Sequence, residues 1–223
     1  MIGEIHKYNL FAGWVIRLKR LTKHVVYPIF KSKRNPFPSA GIIEWLIDFW
    51  FYFMDALLFP ELYQFVQRLF FRNIRRMNDH EIDLAVSIFG SAIDYNRVFI
   101  NNKAWLINPK YALAYVTFNT INYREDISNP IFIHEMTHIW QYQHFGSIYI
   151  AKALKAQRST AGYDYGGTEG LYQAFQSGKA LTDFNFEQQA EIIEDFYRSS
   201  LDTNQASPMQ AMVYGYYHQQ LEA

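Results

Sequence analysis

The stretch IFIHEMTHIWQYQH, residues 131–144, holds three of the chain's seven histidines and one glutamate, and it is where metal chemistry is possible. His134 and His138 are four residues apart. On a helix their imidazoles share one face, about 40° apart and one turn along. Two nitrogen ligands so placed suit a tetrahedral zinc (Zn2+), and Glu135, beside them, is aimed at a water activated at such an ion. Catalytic zinc keeps three protein ligands and one open position, so one ligand must come from elsewhere. His144 has the spacing of the third histidine in H-E-x-x-H-x-x-G-x-x-H, but Gln141 stands where that pattern has its glycine. Without the turn a glycine permits, the helix runs on and His144 lies about 9 Å along and about 120° around from His138. It is then a helix-end histidine near a C-terminal dipole, not a ligand.

The other solution is a carboxylate from a later helix. DFNFEQQAEIIEDFYR, residues 183–198, offers Glu187, Glu191, Glu194 and Asp195. Glu187 and Glu191 share a face with Ala190, whose small side chain lets a second helix come close, while Glu194 is turned aside by about 60° or more, toward solvent. If Glu187 binds the metal, Glu191 one turn on can accept a histidine N–H; if Glu191 binds it, Asp195 takes that part. Geometry leaves the two open. Donors to a developing oxyanion come from outside the ligand helix, and Tyr163, Tyr165 and His218 are the candidates. Packing is the plainer role for any one of 17 tyrosines.

Several elements must position these residues. PIFIHEMTHIWQYQHFG follows a proline and stops at Gly146, as a helix would, and SIYIAKALKAQ continues as another. STAGYDYGGTEG, rich in Gly, Ser and Thr, is expected to be irregular, with helices to follow around 185–200 and 208–221. Upstream, MNDHEIDLAVSIFG has Asn78 or Asp79 to cap a helix, Glu81 in its first turn and Gly90 at its end. RVFINN and ALAYVTFNTINY are two strand candidates separated by a turn around NPK. The class is α+β, mostly helical with a small β-sheet, over a domain spanning 78–223.

Residues 1–77 form a different unit, an N-terminal helical extension. They carry 12 Lys and Arg against 5 acids, and the remainder 9 against 16, although the chain as a whole is neutral. A basic segment of this kind docks on an acidic body or faces an anionic surface. GIIEWLIDFWFYFMDALLF, residues 41–59, is apolar enough to raise a membrane span, but Glu44, Asp48 and Asp55 fall on one helical stripe. Three carboxylates are costly in lipid, so this is an amphipathic helix with a broad apolar face, buried or facing a partner. KSKRNPFPSAG before it has the composition of a linker; PELYQFVQRLFFRNIRRM after it opens at Pro60 as a helix ending in Arg72, Arg75 and Arg76.

Half the residues are hydrophobic and 18% aromatic, which excludes intrinsic disorder, and zero net charge makes no electrostatic case for nucleic acid. With no cysteine, disulfides, zinc-thiolate sites and thiol catalysis are excluded. MIGEIHKYNLFAGWVIRLKR has no cleavage site and its charge follows the apolar run, so synthesis in the cytoplasm without a signal peptide is expected.

FIHEMTHIWQYQ, YDYGGTEG and DFNFEQQAEIIEDFY, with EIDLAVSIFGSAIDYNRVFI upstream, resemble the zinc metallopeptidases attached to, or encoded beside, VgrG and Rhs proteins of bacterial type VI secretion systems. The resemblance covers roughly residues 79–200. It implies a zincin-like core with His134, His138 and Glu187 as zinc ligands, Glu135 as catalytic base, and the E-x-x-A step from Glu187 to Ala190 selecting Glu187 over Glu191. It further implies an antibacterial effector that hydrolyses peptide bonds in the target-cell periplasm, with an immunity protein and a contact with the secretion spike. Residues 41–59 would then be a chaperone or loading surface. Two other classes compete: a non-catalytic interaction domain whose zinc is closed by a fourth protein ligand, and a housekeeping protease lying on a membrane through its N-terminal segment.

Overall fold

The computed structural model describes residues 10–30, 41–104, 113–201 and 207–222. The expected linker before Gly41 and the expected turn around NPK lie outside the described residues. The protein is α+β, mostly helical, with one small four-stranded sheet.

Two helices form the centre. Helix α5 (Asn129–Phe145) has Pro130 in its first turn, where no N–H is needed, and ends at Gly146. Every residue from Phe132 to Tyr142 is buried, so α5 is surrounded rather than amphipathic. Helix α8 (Phe186–Leu201) packs along it, with Ala190, Ile192 and Ile193 fully buried. Helices α7 (Gly167–Gln176) and α9 (Pro208–His218) close the far side. The Trp140 indole N–H donates to Leu221 O at 3.0 Å, which ties the C-terminal end to α5. Helix α7 starts inside the stretch expected to be irregular: its glycines hide a short helix held by the buried Leu171, with Glu169 in its first turn.

The sheet has the order β1-β2-β4-β3, from β1 (Ile74–Arg76), β2 (Phe99–Asn101), β3 (Ala114–Thr117) and β4 (Thr120–Tyr123). Strand β2 runs parallel to β4, and the other pairings are antiparallel. The single strand expected over 112–123 is a hairpin. Phe118 takes a left-handed conformation at φ 56°, and its ring is held against Tyr63 and Tyr142. Tertiary packing thus makes a turn that no Gly or Pro announces. Strand β1 also corrects an expectation, because helix α3 (Phe59–Phe70) stops before Arg72 and the later arginines are strand residues. Arg75 reaches Glu81 with both nitrogens, at 2.7 and 2.8 Å. Glu81 also closes the Asn78 capping box of helix α4 (Asp79–Phe89). The sheet therefore begins before residue 78.

Helices α1 (Leu10–Phe30) and α2 (Ile42–Ala56) pack together, and α2 lies on helix α6 (Ile148–Gln157). The acidic stripe of α2 is the docking face. Asp48 accepts from Lys152 at 2.8 Å, Glu44 from Lys155, and Asp55 from the Ser147 N–H at 2.8 Å and hydroxyl at 2.5 Å. The basic segment thus attaches to the body through its few acids. Gly146 makes this contact possible: its φ is 85°, and a Cβ there would lie 2.3 Å from Asp55 Oδ2. Among the described residues, no helix is long and apolar enough to cross a membrane.

Candidate metal centre

Helix α5 presents His134 and His138 with ring centroids 5.1 Å apart, and the first turn of α8 brings Glu187 against them. Glu187 Oε2 lies 3.4 Å from His134 Nε2 and 3.5 Å from His138 Nε2. Ligands of a tetrahedral ion with bonds of about 2.1 Å stand about 3.4 Å apart, which these two separations match, and all three ligand atoms lie within 4.8 Å of one another. Glu187 is 1% exposed; its Oε1 accepts from Gln157 Nε2 at 2.9 Å, while Oε2 has no hydrogen-bond partner. A buried carboxylate oxygen left bare is costly, and a cation at the shared point would satisfy it. The residues fit the group the sequence implies.

Both remaining ring nitrogens are engaged, and by different partners. Glu194 Oε2 lies 3.1 Å from His134 Nδ1, and Arg198 donates to Glu194 Oε1 at 2.5 Å from one turn further on. Glu194 was expected at the surface, yet it is 6% exposed. The reason is periodicity: seven residues after Glu187 it lies about 20° from it around the helix, closer than Glu191 at about 40°. Glu191 Oε2 is 3.8 Å from the same nitrogen, beyond hydrogen-bond range, and its side chain is one-third exposed. His134, Glu191 and Glu194 also present ligand atoms within 4.8 Å of one another, as do His134, His138 and Glu187.

His138 Nδ1 is 2.8 Å from Gln141 Oε1. The orientation of that amide is fixed from behind. Gln141 Nε2 donates to Phe186 O at 2.8 Å and to Gln189 Oε1 at 3.0 Å, and Gln189 Nε2 donates to Phe184 O at 2.8 Å. Backbone carbonyls only accept, so Gln141 Oε1 must accept from His138 Nδ1–H, which leaves His138 Nε2 to face Glu187. The residue that removes the metzincin turn is therefore the one that sets the second histidine's tautomer. Sequence reasoning missed this role and that of Glu194; only the seven-residue spacing from Glu187 signalled the latter.

Burial opposes the charged form of His134, but Glu187 and Glu194 outweigh it and raise it to about 10 without metal. Burial likewise opposes ionisation of Glu187, and both histidines more than reverse it, holding the carboxyl well below the usual range. Glu135 moves the other way. Burial pushes it up, and its Oε2 has no hydrogen-bond partner. Burial thus makes this carboxylate more basic than a free one, the direction that taking a proton requires.

These groups line a cavity of about 550 Å³ between β3 on one side and Ile150, Ala153 and Leu154 of α6 on another. Of the three candidate oxyanion donors the structure brings one here. Tyr163 lines the cavity with its ring 6.0 Å from that of His134, and burial, with Glu187, keeps its hydroxyl protonated. The Tyr165 hydroxyl is bonded to Asp195 and Tyr214, both at 2.5 Å, and His218 stacks on Phe196 with Nε2 2.6 Å from Ile88 O. His144 is hydrogen-bonded through Nδ1 to Trp140 O at 3.0 Å, outside the cluster, as expected for a helix-end histidine.

The chain is similar to the type VI secretion system spike protein VgrG2b of Pseudomonas aeruginosa (strain PAO1), at 30% identity over 148 residues. That match covers 60% of this chain and 14% of the spike protein, so the chain spans about one seventh of its relative's length. No family model matches. No solved structure matches either.

Proposed function

We propose that this protein is a zinc-dependent peptidase that serves as an effector of type VI secretion. The observation that carries the reading is the convergence of His134 Nε2, His138 Nε2 and the bare Glu187 Oε2, beside a buried glutamate whose Oε2 is also bare. Zinc held by these three residues would polarise a substrate carbonyl and make a water acidic enough to lose its proton near neutral pH. Glu135 takes that proton and returns it to the leaving amine. The Tyr163 hydroxyl donates to the oxyanion from across the cavity. Strand β3 is an edge of the sheet and lines the cavity, so an extended peptide can pair with it and lie across Glu135. A closed structural site would need a fourth ligand, and among the described residues the convergent group around Glu187 has three.

Similarity to a spike protein supports delivery by type VI secretion and a contact with the spike. The substrate is then a protein or a cell-wall peptide of the target cell's periplasm, and the producing cell needs an immunity protein. The test is Glu135→Gln, which keeps size and hydrogen bonding but cannot take a proton. The variant should bind zinc as the wild type does and hydrolyse a denatured protein substrate about 10²- to 10⁴-fold more slowly. Wild-type hydrolysis by the zinc-loaded variant would overturn the assignment.

A further inference from the structure

Helices α2 and α3 present apolar side chains to solvent. Ile43 and Trp50 on α2, and Leu62, Phe65, Leu69 and Phe70 on α3, are all more than half exposed, Ile43 by 71% and Phe70 by 72%. Residues 43, 46 and 50, and 62, 65 and 69, have helical spacing, so each helix carries one outward stripe. The exposed run continues through the turn between them at Leu57 and Phe59. Monomers rarely leave so much apolar side chain uncovered without a use for it.

Charge selects the occupant. Among the described residues, every acid of α1–α3 is turned inward onto a partner: Glu44 to Lys155, Asp48 to Lys152, Asp55 to Ser147 and Glu61 to Arg17. The exposed charged residues of these helices and of the segment up to Met77 are Lys19, Lys23, Arg68, Arg72 and Arg76, all cations, with Arg68 and Arg76 lying over the Phe99 ring. A second copy docking through the same face would set arginine against arginine. An anionic phospholipid surface meets both features at once, taking the apolar stripes into its interface and the cations at its headgroups. Neither helix is long enough to span: at 15 and 12 residues they reach about 22 and 18 Å, against a hydrocarbon core of about 30 Å. Trp50 is the side-chain type that settles at such an interface.

We propose that the α2–α3 face is a peripheral membrane surface that seats the protein flat on bilayers containing anionic phospholipid. This does not depend on the peptidase reading, since α6 lies between α2 and the metal centre and no site residue is involved. The test is cosedimentation of the full chain with vesicles of phosphatidylcholine, alone or mixed with phosphatidylglycerol, at low and high salt. Binding to the mixed vesicles at low salt is expected. Lys19→Gln and Arg72→Gln should each weaken it about fivefold and flatten its salt dependence. The pair Leu62→Ser with Phe65→Ser should abolish binding while leaving zinc content and circular dichroism unchanged. A vesicle-induced blue shift of tryptophan emission in the unsubstituted chain, lost in Trp50→Phe, gives a readout that does not need the serine pair to fold. Absence of binding to mixed vesicles at low salt would overturn the proposal. So would a solution dimer, or a complex with the secretion spike, that the serine pair dissolves without any change in vesicle binding.

Discussion

Replacing Gln141 with leucine tests how the second histidine is held. Gln141 is completely buried, and its amide joins His138 Nδ1, Phe186 O and Gln189 Oε1 at 2.8, 2.8 and 3.0 Å. Leucine fills comparable space and removes all three bonds. The His138 N–H and Gln189 Oε1 are then left buried and unpaired, each at a cost of about 1–3 kcal/mol, while Phe186 O keeps its place in the α8 ladder. Partial relaxation brings the expected loss to about 2–4 kcal/mol, a large part of the roughly 5–15 kcal/mol by which a domain is stable. At about 2–4 °C per kcal/mol for a chain of this size, the thermal midpoint of the metal-free protein should fall by about 4–16 °C. The imidazole also loses its orienting partner, so zinc affinity should fall about 10- to 100-fold. Calorimetry and a competitive zinc titration measure the two effects on the same sample. A folded Gln141→Leu protein with zinc affinity within twofold of wild type would refute the reasoning that the amide sets the ring's tautomer.

The supporting partner of His134 is tested by comparing Glu194→Gln with Glu191→Gln. At 3.1 Å against 3.8 Å, the first should weaken zinc binding about 10- to 100-fold and the second only slightly, and the reverse order would show that Glu191 holds the ring. For the metal-free protein, His134 is raised from 6.5 to about 10 in the fold. Its stabilising contribution is full below the unfolded value and is lost as pH rises toward the folded one. The thermal midpoint of chelator-treated protein should therefore fall as pH is raised from about 6.5 to about 9, and zinc should remove the fall because it displaces that proton. A midpoint that rises over this interval without metal would contradict the charge balance drawn around His134.

The part of the site written in one short segment was legible. His134, Glu135 and His138 need only the helical period to come together, and the capping box at Asn78 and the stop at Gly146 are equally local. What joins distant segments was legible in part. The carboxylate arriving from α8 could be narrowed to Glu187 or Glu191 by spacing, but their supporting partners follow from how two helices cross, which periodicity on either helix does not give. Glu194 shows the limit: measured from Glu191 it points away, whereas measured from Glu187 it returns to the same side. Gln141 was noticed for the glycine it replaces, because its two acceptors, Phe186 O and Gln189, belong to another helix. The acidic stripe of α2 was visible as a stripe, yet its lysine partners on α6 lie about one hundred residues away. The hairpin at Phe118 has Asn119 as its one turn-forming residue, and a single Asn within an alternating run does not announce a turn.

The most direct test of the account is the metal content and coordination of the purified chain, with Glu187→Ala and Glu191→Ala beside the wild type. After exposure to zinc and gel filtration, the wild type should carry one ion per chain, with two imidazole nitrogens and a carboxylate oxygen in its X-ray absorption spectrum. Glu191→Ala should match it. Glu187→Ala should lose affinity by more than the ~100-fold expected for loss of a supporting partner. A wild-type protein that retains no metal, or a Glu187→Ala protein that holds zinc as firmly as the wild type, would contradict the assignment of Glu187 as the ligand from α8.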